Sequence, residues 1–210
     1  MAQPKKAIIL GDYATSKYHP LTGVDKEIVA IFDGALEVEA TDDYSILASS
    51  ELASHSLVIS YTDCWGAELP VEQRSGLVTY VNEGGGLLVI HNGLSFQTNR
   101  ELTALVGATF TGHPPYTQLE FEVTAPDHPV VEGIEPFSLD EEPYYFTPFY
   151  YDTTLLLQYD HDGQKRAAGW AHEYGRGRVV YLMPGHHLPS FSHQTVRRLI
   201  RQGGLWAARD

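Results

Sequence analysis

One cysteine among 210 residues excludes an internal disulfide framework. Cations are scarce as well: 14 Lys and Arg stand against 27 Asp and Glu, for a formal net charge of −13. Nucleic acid and anionic membrane surfaces attract clustered Lys and Arg, so neither is an expected partner. The apolar run near the N-terminus, Ala7-Ile8-Ile9-Leu10, is too short for a signal peptide or a membrane span. Repeats, low-complexity tracts and linkers are missing too. These absences imply one cytoplasmic domain spanning residues 1–210, and a hydrophobic content of 43% suffices for its core.

What is present is regular alternation. Ala7–Leu10 reads as a strand, and Gly23–Phe32 as a helix with Val24, Ile28, Ile31 and Phe32 on one face. Ala35–Ala40 alternates like an edge strand, and Leu57–Tyr61 is a buried strand. Pro70 opens a helix that Gly84-Gly85-Gly86 ends. Leu87–Ile90 and Arg178–Met183 are short apolar runs suited to strands covered on both faces. In the second half, Thr117–Val123 alternates, and Thr154–Tyr159 and Arg166–Ala171 flank an Asp162-Gly163 hairpin signal. A last helix is expected from an N-cap at Ser190 to Gly203-Gly204. The expected fold is α/β: a mainly parallel sheet with antiparallel strands appended.

Two apolar strands end on histidines: Leu87–Ile90 runs into His91-Asn92-Gly93, and Arg178–Met183 into Pro184-Gly185-His186-His187. Carboxyl ends of parallel strands are where α/β proteins place ligands. His113, in Gly112-His113-Pro114, and the acidic run Asp140-Glu141-Glu142 before Pro143-Tyr144 are further candidates. Imidazole and carboxylate together can ligate Zn²⁺ or a harder divalent ion, or act as an acid–base pair. Each also has an ordinary explanation: a capped strand end for His91, a turn for His186 and His128, a solvated loop for the acidic run. His187 is expected either in solvent or just behind the site. His19, His55, His161, His172 and His193 have no supporting context and read as surface or packing residues. Cys64 ends the Leu57–Tyr61 strand, which admits a thiol nucleophile, although a small buried hydrophobe is the plainer reading. Aromatic content of 11%, with 13 tyrosines, suits hydroxylated ligands and protein interfaces alike.

In order along the chain stand Gly84 to His91; Gly107, Phe110, His113 and Pro114; His128, Pro129 and Gly133; Glu141, Glu142 and Tyr144; Gly175, Gly177, Arg178, Val179, Tyr181, Gly185 and His186; and Gly204, Trp206 and Ala207. This succession resembles the trehalose-utilization, or ThuA-like, family over nearly the whole chain. The resemblance implies a class I glutamine-amidotransferase-like fold, a flavodoxin-like three-layer sandwich. It also implies a role in bacterial carbohydrate utilisation. Two departures matter. His91-Asn92-Gly93 stands where an amidotransferase carries its cysteine, so glutaminase activity is not expected. The acidic motif has an extra residue, so its glutamate is Glu142 if Tyr144 sets the register and Glu141 if Asp140 does.

The resulting expectation is a protein acting on a sugar such as trehalose, or on a keto-sugar. His91, His113, His186 and Glu142 (or Glu141) would serve as acid–base groups or as ligands of a divalent metal such as Zn. Tyr144, Tyr145, Trp170 and Asn92 would contact the substrate. A non-catalytic sugar-binding or regulatory module, and a cysteine hydrolase using Cys64, are the alternatives. The aromatic run Tyr144-Tyr145-Phe146 and Phe149-Tyr150-Tyr151 suggests a homodimer contact.

Overall fold

The structure, a computed structural model, describes residues 5–147 and 152–209. Phe149–Tyr151, half of the run expected at a dimer contact, lie outside the described residues. Among the described residues eleven strands form: β1 (Lys5–Gly11), β2 (Leu36–Thr41), β3 (His55–Tyr61), β4 (Gly86–Ile90), β5 (Phe110–Gly112), β6 (Thr117–Val123), β7 (Phe137–Glu141), β8 (Tyr145–Phe146), β9 (Thr154–His161), β10 (Gln164–Tyr174) and β11 (Gly177–Leu182). Four α-helices accompany them: α1 (Val24–Ile31), α2 (Val71–Asn82), α3 (Arg100–Val106) and α4 (Gln194–Ala207).

Nine strands make one sheet in the order β2-β1-β3-β4-β11-β10-β9-β6-β7. The first five are mutually parallel, in the strand order of a flavodoxin-like sandwich. The remaining four are antiparallel. Helix α1 packs beside α4, and α2 beside α3, covering the sheet. Covering both faces explains why β4 is apolar throughout, with Leu87, Leu88, Val89 and Ile90 all fully buried. The β9–β10 hairpin turns on Asp162 and Gly163, both with positive φ (53° and 71°), as the Asp-Gly pair requires.

Strand β7 lies four places from β11, which a flat sheet would separate by roughly 19 Å at the usual strand spacing. Yet Glu141, the last residue of β7, accepts a hydrogen bond from the Gly185 N–H just beyond β11 at 2.8 Å. The antiparallel half therefore curls back over the carboxyl edge of the parallel half. The acidic run is thus a strand end and not the solvated loop expected from its charges.

The C-terminal helix also differs from expectation. Residues Leu188–Ser192 form a separate 3₁₀ turn, and α4 starts after His193. The Ser190 hydroxyl, free of capping duty, is given to Glu141 at 2.7 Å. Helix α4 continues through Gly203-Gly204 to Ala207, because those glycines are a packing surface rather than a stop. A Cβ on Gly204 would fall 2.4 Å from the ring of Phe32, itself fully buried. Gly204→Ala should therefore destabilise the fold by about 1–3 kcal/mol through overpacking; urea unfolding with a change under about 0.5 kcal/mol would contradict the close approach.

His172 on β10 is 5% exposed and lies 3.1 Å from the Leu105 carbonyl through Nε2. Burial lowers its pKa below the ordinary 6.5. The unfolded chain takes up that proton first, so His172 contributes stability above the unfolded pKa that is lost as pH falls through it. The loss of stability between about pH 7 and pH 5 should be shallower in His172→Gln. Parallel pH profiles for the two proteins would refute this.

Candidate functional site

The loops leaving β1, β3, β4, β11 and β7 meet at one edge of the sheet. The β1 loop is drawn in by Asp63, just past β3. Its Oδ2 accepts from the Ser16 hydroxyl (2.7 Å) and from the N–H groups of Lys17 (2.8 Å), Tyr18 (2.8 Å) and His19 (3.1 Å). Burial opposes ionisation of Asp63, but His19, Ser16 and those amides outweigh it and hold the carboxyl well below its ordinary range. The other oxygen faces His19 Nδ1 at 3.4 Å. His19 is 4% exposed. Burial would lower its pKa, yet Asp63 and Glu142 together raise it. His19 is therefore neither surface nor packing residue, as its bare sequence context suggested.

His91 follows β4 directly, fully buried, with a φ of 47° that side chains other than glycine seldom adopt. Its Nδ1 lies 2.7 Å from the Met183 carbonyl, which can only accept. Nδ1 therefore carries the proton. Burial pushes the ring's pKa down to about 3, so the imidazole is neutral and Nε2 presents a bare lone pair. That lone pair faces Glu142 Oε2 at 3.3 Å. Burial resists the charge on Glu142, but His186, His19 and His91 overcome it and keep the carboxyl far below its usual range. A cation among these groups, a proton or a metal ion, would supply attraction between this lone pair and the carboxylate.

His186 completes the group, with Nδ1 at 3.2 Å from Glu142 Oε2 and 3.2 Å from His19 Nε2. The three imidazole centroids stand 5.1, 5.1 and 5.2 Å apart, close to an equilateral triangle. One ligating atom each from His19, His91, Glu142 and His186 all lie within 4.8 Å of one another. Zinc–ligand bonds of about 2.0–2.1 Å in a tetrahedron put ligand atoms roughly 3.3 Å apart. The closest pairs here match that edge. Carbonyl and carboxylate groups behind His91 and His19 orient the rings, as outer partners of metal-bound histidines do.

The remaining candidates separate. His113 Nε2 lies 3.7 Å from Glu142 Oε1, on the open side, with its side chain 36% exposed; it borders the group of four without joining it. Tyr144 lays its ring 4.2 Å from that of His91. Glu141 and Glu142 divide the roles between which the sequence could not choose. Glu142 faces the histidines, whereas Glu141, fully buried, accepts from Gly185, His186 and Ser190. Burial pushes its pKa up to about 7. Trp170 does not reach the site: it is buried in the sheet, gives its indole N–H to the Val106 carbonyl (2.8 Å) and stacks on Tyr181. Asn92 is also fully buried, bonded to the Thr62 carbonyl at 2.6 Å. Tyr145 turns the other way, toward His161 and beneath Arg166. Cys64 touches Ser95, and burial raises its pKa, which disfavours the thiolate a nucleophile needs.

Over the cluster lies a cavity of about 740 Å³. His19, Glu142 and His186 line it together with the aromatic rings of Tyr18, Trp65, Phe110 and Tyr144, with His113 and with Lys17. This volume falls within the range of small-molecule sites.

The family model for trehalose utilisation, ThuA, matches residues 24–207. The chain belongs to the ThuA family. Among solved structures, a ThuA-like protein from Parabacteroides merdae superposes with a TM-score of 0.81 at 17% identity, covering 98% of this chain and 90% of that one. A ThuA-like protein from Bacteroides uniformis gives 0.80 at 18% identity, over 99% and 93% of the two chains. A cytoplasmic protein from Salmonella typhimurium gives 0.65 at 13% identity, over 96% and 98%. At such identities the likeness speaks for the ThuA fold alone. No curated protein matches the sequence. Among the described residues no helix is long and apolar enough to cross a membrane.

Asp63 ties the β1 loop of this ThuA protein to the sheet edge. Asp63→Asn should cost about 1–3 kcal/mol, the range for stranding buried donors, and should speed amide exchange at Lys17, Tyr18 and His19. Unchanged exchange at those amides would mean that the loop is held by something else.

Proposed function

We propose that this ThuA protein acts on a sugar or keto-sugar in cytoplasmic carbohydrate utilisation, with a divalent metal such as Zn²⁺ held by His19, His91, His186 and Glu142. The observation that carries the reading is the convergence of four ligating atoms, one each from His19, His91, Glu142 and His186, within 4.8 Å of one another. Three imidazoles and one carboxylate are a donor set that zinc and its first-row neighbours accept. Bound there, the ion would supply Lewis acidity toward a substrate oxygen. The single cysteine and the cytoplasmic Salmonella neighbours support the location.

The chain's own groups supply the rest. His113 Nδ1 donates to the Pro114 carbonyl at 2.9 Å, leaving Nε2 as an acceptor on the cavity side of Glu142. That nitrogen is placed to take a proton from a bound hydroxyl or a carbon beside a carbonyl. Trp65, Phe110 and Tyr144 form a continuous aromatic wall, with centroid distances of 5.2 and 4.4 Å, against which the C–H face of a sugar ring packs. Tyr144 also covers His91 and keeps water from it. A non-catalytic sugar-binding module would use the same cavity; binding of a sugar by the metal-loaded protein without turnover would favour it. The shielded thiol of Cys64 gives the cysteine-hydrolase alternative no support.

Metal content and affinity test the reading. Stripped protein should bind one Zn²⁺, Co²⁺ or Mn²⁺ per chain, and metal at about 100 times Kd should stabilise it by about 2.7 kcal/mol, reversed by chelator. Glu142→Gln should weaken binding at least about tenfold while changing metal-free stability by less than about 1 kcal/mol. Cys64→Ser should bind like the parent. A protein that takes up no ion, or a Glu142→Gln variant of undiminished affinity, would sink the proposal.

A further inference from the structure

Glu141 takes no place among the four ligating side chains, yet it is fully buried beside them. Its Oε1 accepts from Gly185 N–H at 2.8 Å and from the Ser190 hydroxyl at 2.7 Å. Both oxygens lie 3.2 Å from His186 N–H, and Oε2 lies 3.9 Å from His91 Nδ1. The carboxyl thus grips the backbone of the very turn that presents His186. That turn has little else to define it: Gly185 has a φ of 144°, open only to glycine, and the Tyr61 hydroxyl, bonded to the Gly185 and His186 carbonyls at 3.0 and 3.1 Å, holds the opposite side.

The grip continues outward. Since Ser190 gives its only proton to Glu141, its oxygen must be the acceptor for His187 Nδ1 at 3.3 Å. Nδ1 then carries the His187 proton, and Nε2 is left to accept from the Tyr116 hydroxyl at 3.3 Å. The Tyr116 ring lies 5.3 Å from that of His186. Donors and acceptors alternate without conflict from Tyr116 through His187 and Ser190 to Glu141. His186 is bracketed by this chain at its backbone and at its ring.

We propose that Glu141 is a positioning residue, which with Ser190 and His187 locks the Gly185-His186 turn so that His186 Nδ1 points at the Glu142 oxygen. The proposal rests on the metal reading above for its consequence, but on the hydrogen bonds alone for its geometry. Outer groups of this kind are worth about 10–100-fold in metal affinity. Residues that merely fill the core would alter stability and leave the ligand field untouched.

The test uses the full chain, Co²⁺ as probe, and three variants: Glu141→Gln, which keeps the shape but turns an amide toward His186 N–H; Ser190→Ala, which removes one donor and is mild enough to fold; and Glu142→Ala as the control for the ligand set. Glu141→Gln should weaken Co²⁺ binding about 10–100-fold and Ser190→Ala less, about tenfold or under, each with a shifted visible absorption spectrum. In the metal-free protein, both should move the His186 backbone amide proton and its ring ¹⁵N signals, leaving those of His55 in place. Wild-type affinity, spectrum and His186 signals in both variants would overturn the positioning role. Absence of Co²⁺ binding by the parent would overturn the metal reading instead, with the ¹⁵N shifts still deciding whether Glu141 holds His186.

Discussion

The site depends on one short hydrogen bond, from His91 Nδ1 to the carbonyl of Met183. It joins the exits of two adjacent parallel strands, since Leu182 of β11 is paired with Ile90 of β4. It also decides the chemistry of the ring. With the proton committed to a carbonyl, the imidazole can only offer an electron pair from Nε2. Holding a β-carbon residue at positive φ costs on the order of 1 kcal/mol, and such strain persists only where the surroundings over-determine it. Here they do: the Tyr181 hydroxyl bonds the His91 carbonyl at 3.2 Å, and Gly185 passes so close that a Cβ on it would lie 2.6 Å from Ile90. A single bulky residue at 185 would push apart the two exits that the hydrogen bond unites.

Charge explains the rest of the arrangement. Asp63, Glu141 and Glu142 are gathered within reach of His19, His91 and His186, in a chain that already carries net charge −13. Of the residues lining the cavity, Lys17 alone carries a permanent positive charge, and its ammonium is drawn off over the Tyr18 ring at 4.7 Å. Buried carboxylates are tolerable only when hydrogen-bonded or paired. Asp63 and Glu141 meet that condition with amides and hydroxyls. Glu142 meets it with imidazole nitrogens instead, those of His186, His91 and His19 at 3.2, 3.3 and 3.8 Å. The balance of this corner closes with a cation, whether a proton on His19 or a metal ion among all four groups.

Much of this was legible before any coordinates, for a physical reason. Strands covered on both faces are apolar without interruption, so β4 and β11 stand out, and the histidines that terminate them fall at the edge where such sheets place ligands. His19 was invisible for the opposite reason. The segment from Gly11 to Pro20 has no period, and what makes His19 a site residue is the fourfold grip of Asp63, forty-four positions away. The division of labour between Glu141 and Glu142 needs the end of β7: Glu141 is the last strand residue and grips the Gly185-His186 turn, whereas Glu142, the first residue beyond it, faces the histidines. Trp170 misled because its composition suggests sugar stacking, whereas β10 is sandwiched between β9 and β11 and buries its middle on both faces.

The turn after β4 is a place of high value in this architecture, exposed to the sheet edge and backed by buried strands. An activated thiol there would attack; an imidazole whose Nδ1 is committed to the Met183 carbonyl offers the Nε2 electron pair instead. The chain's one thiol lies a strand away at Cys64, where burial favours its protonated form. What the fold preserves is the location of the chemistry, and what the side chains change is its kind. Around His91 the change is concerted: a carbonyl to fix the tautomer, an aromatic ring to exclude water, a carboxylate opposite the lone pair, and two more imidazoles at matching distances. Each of these contacts bears on the same ring, so the geometry at His91 is set by all of them together.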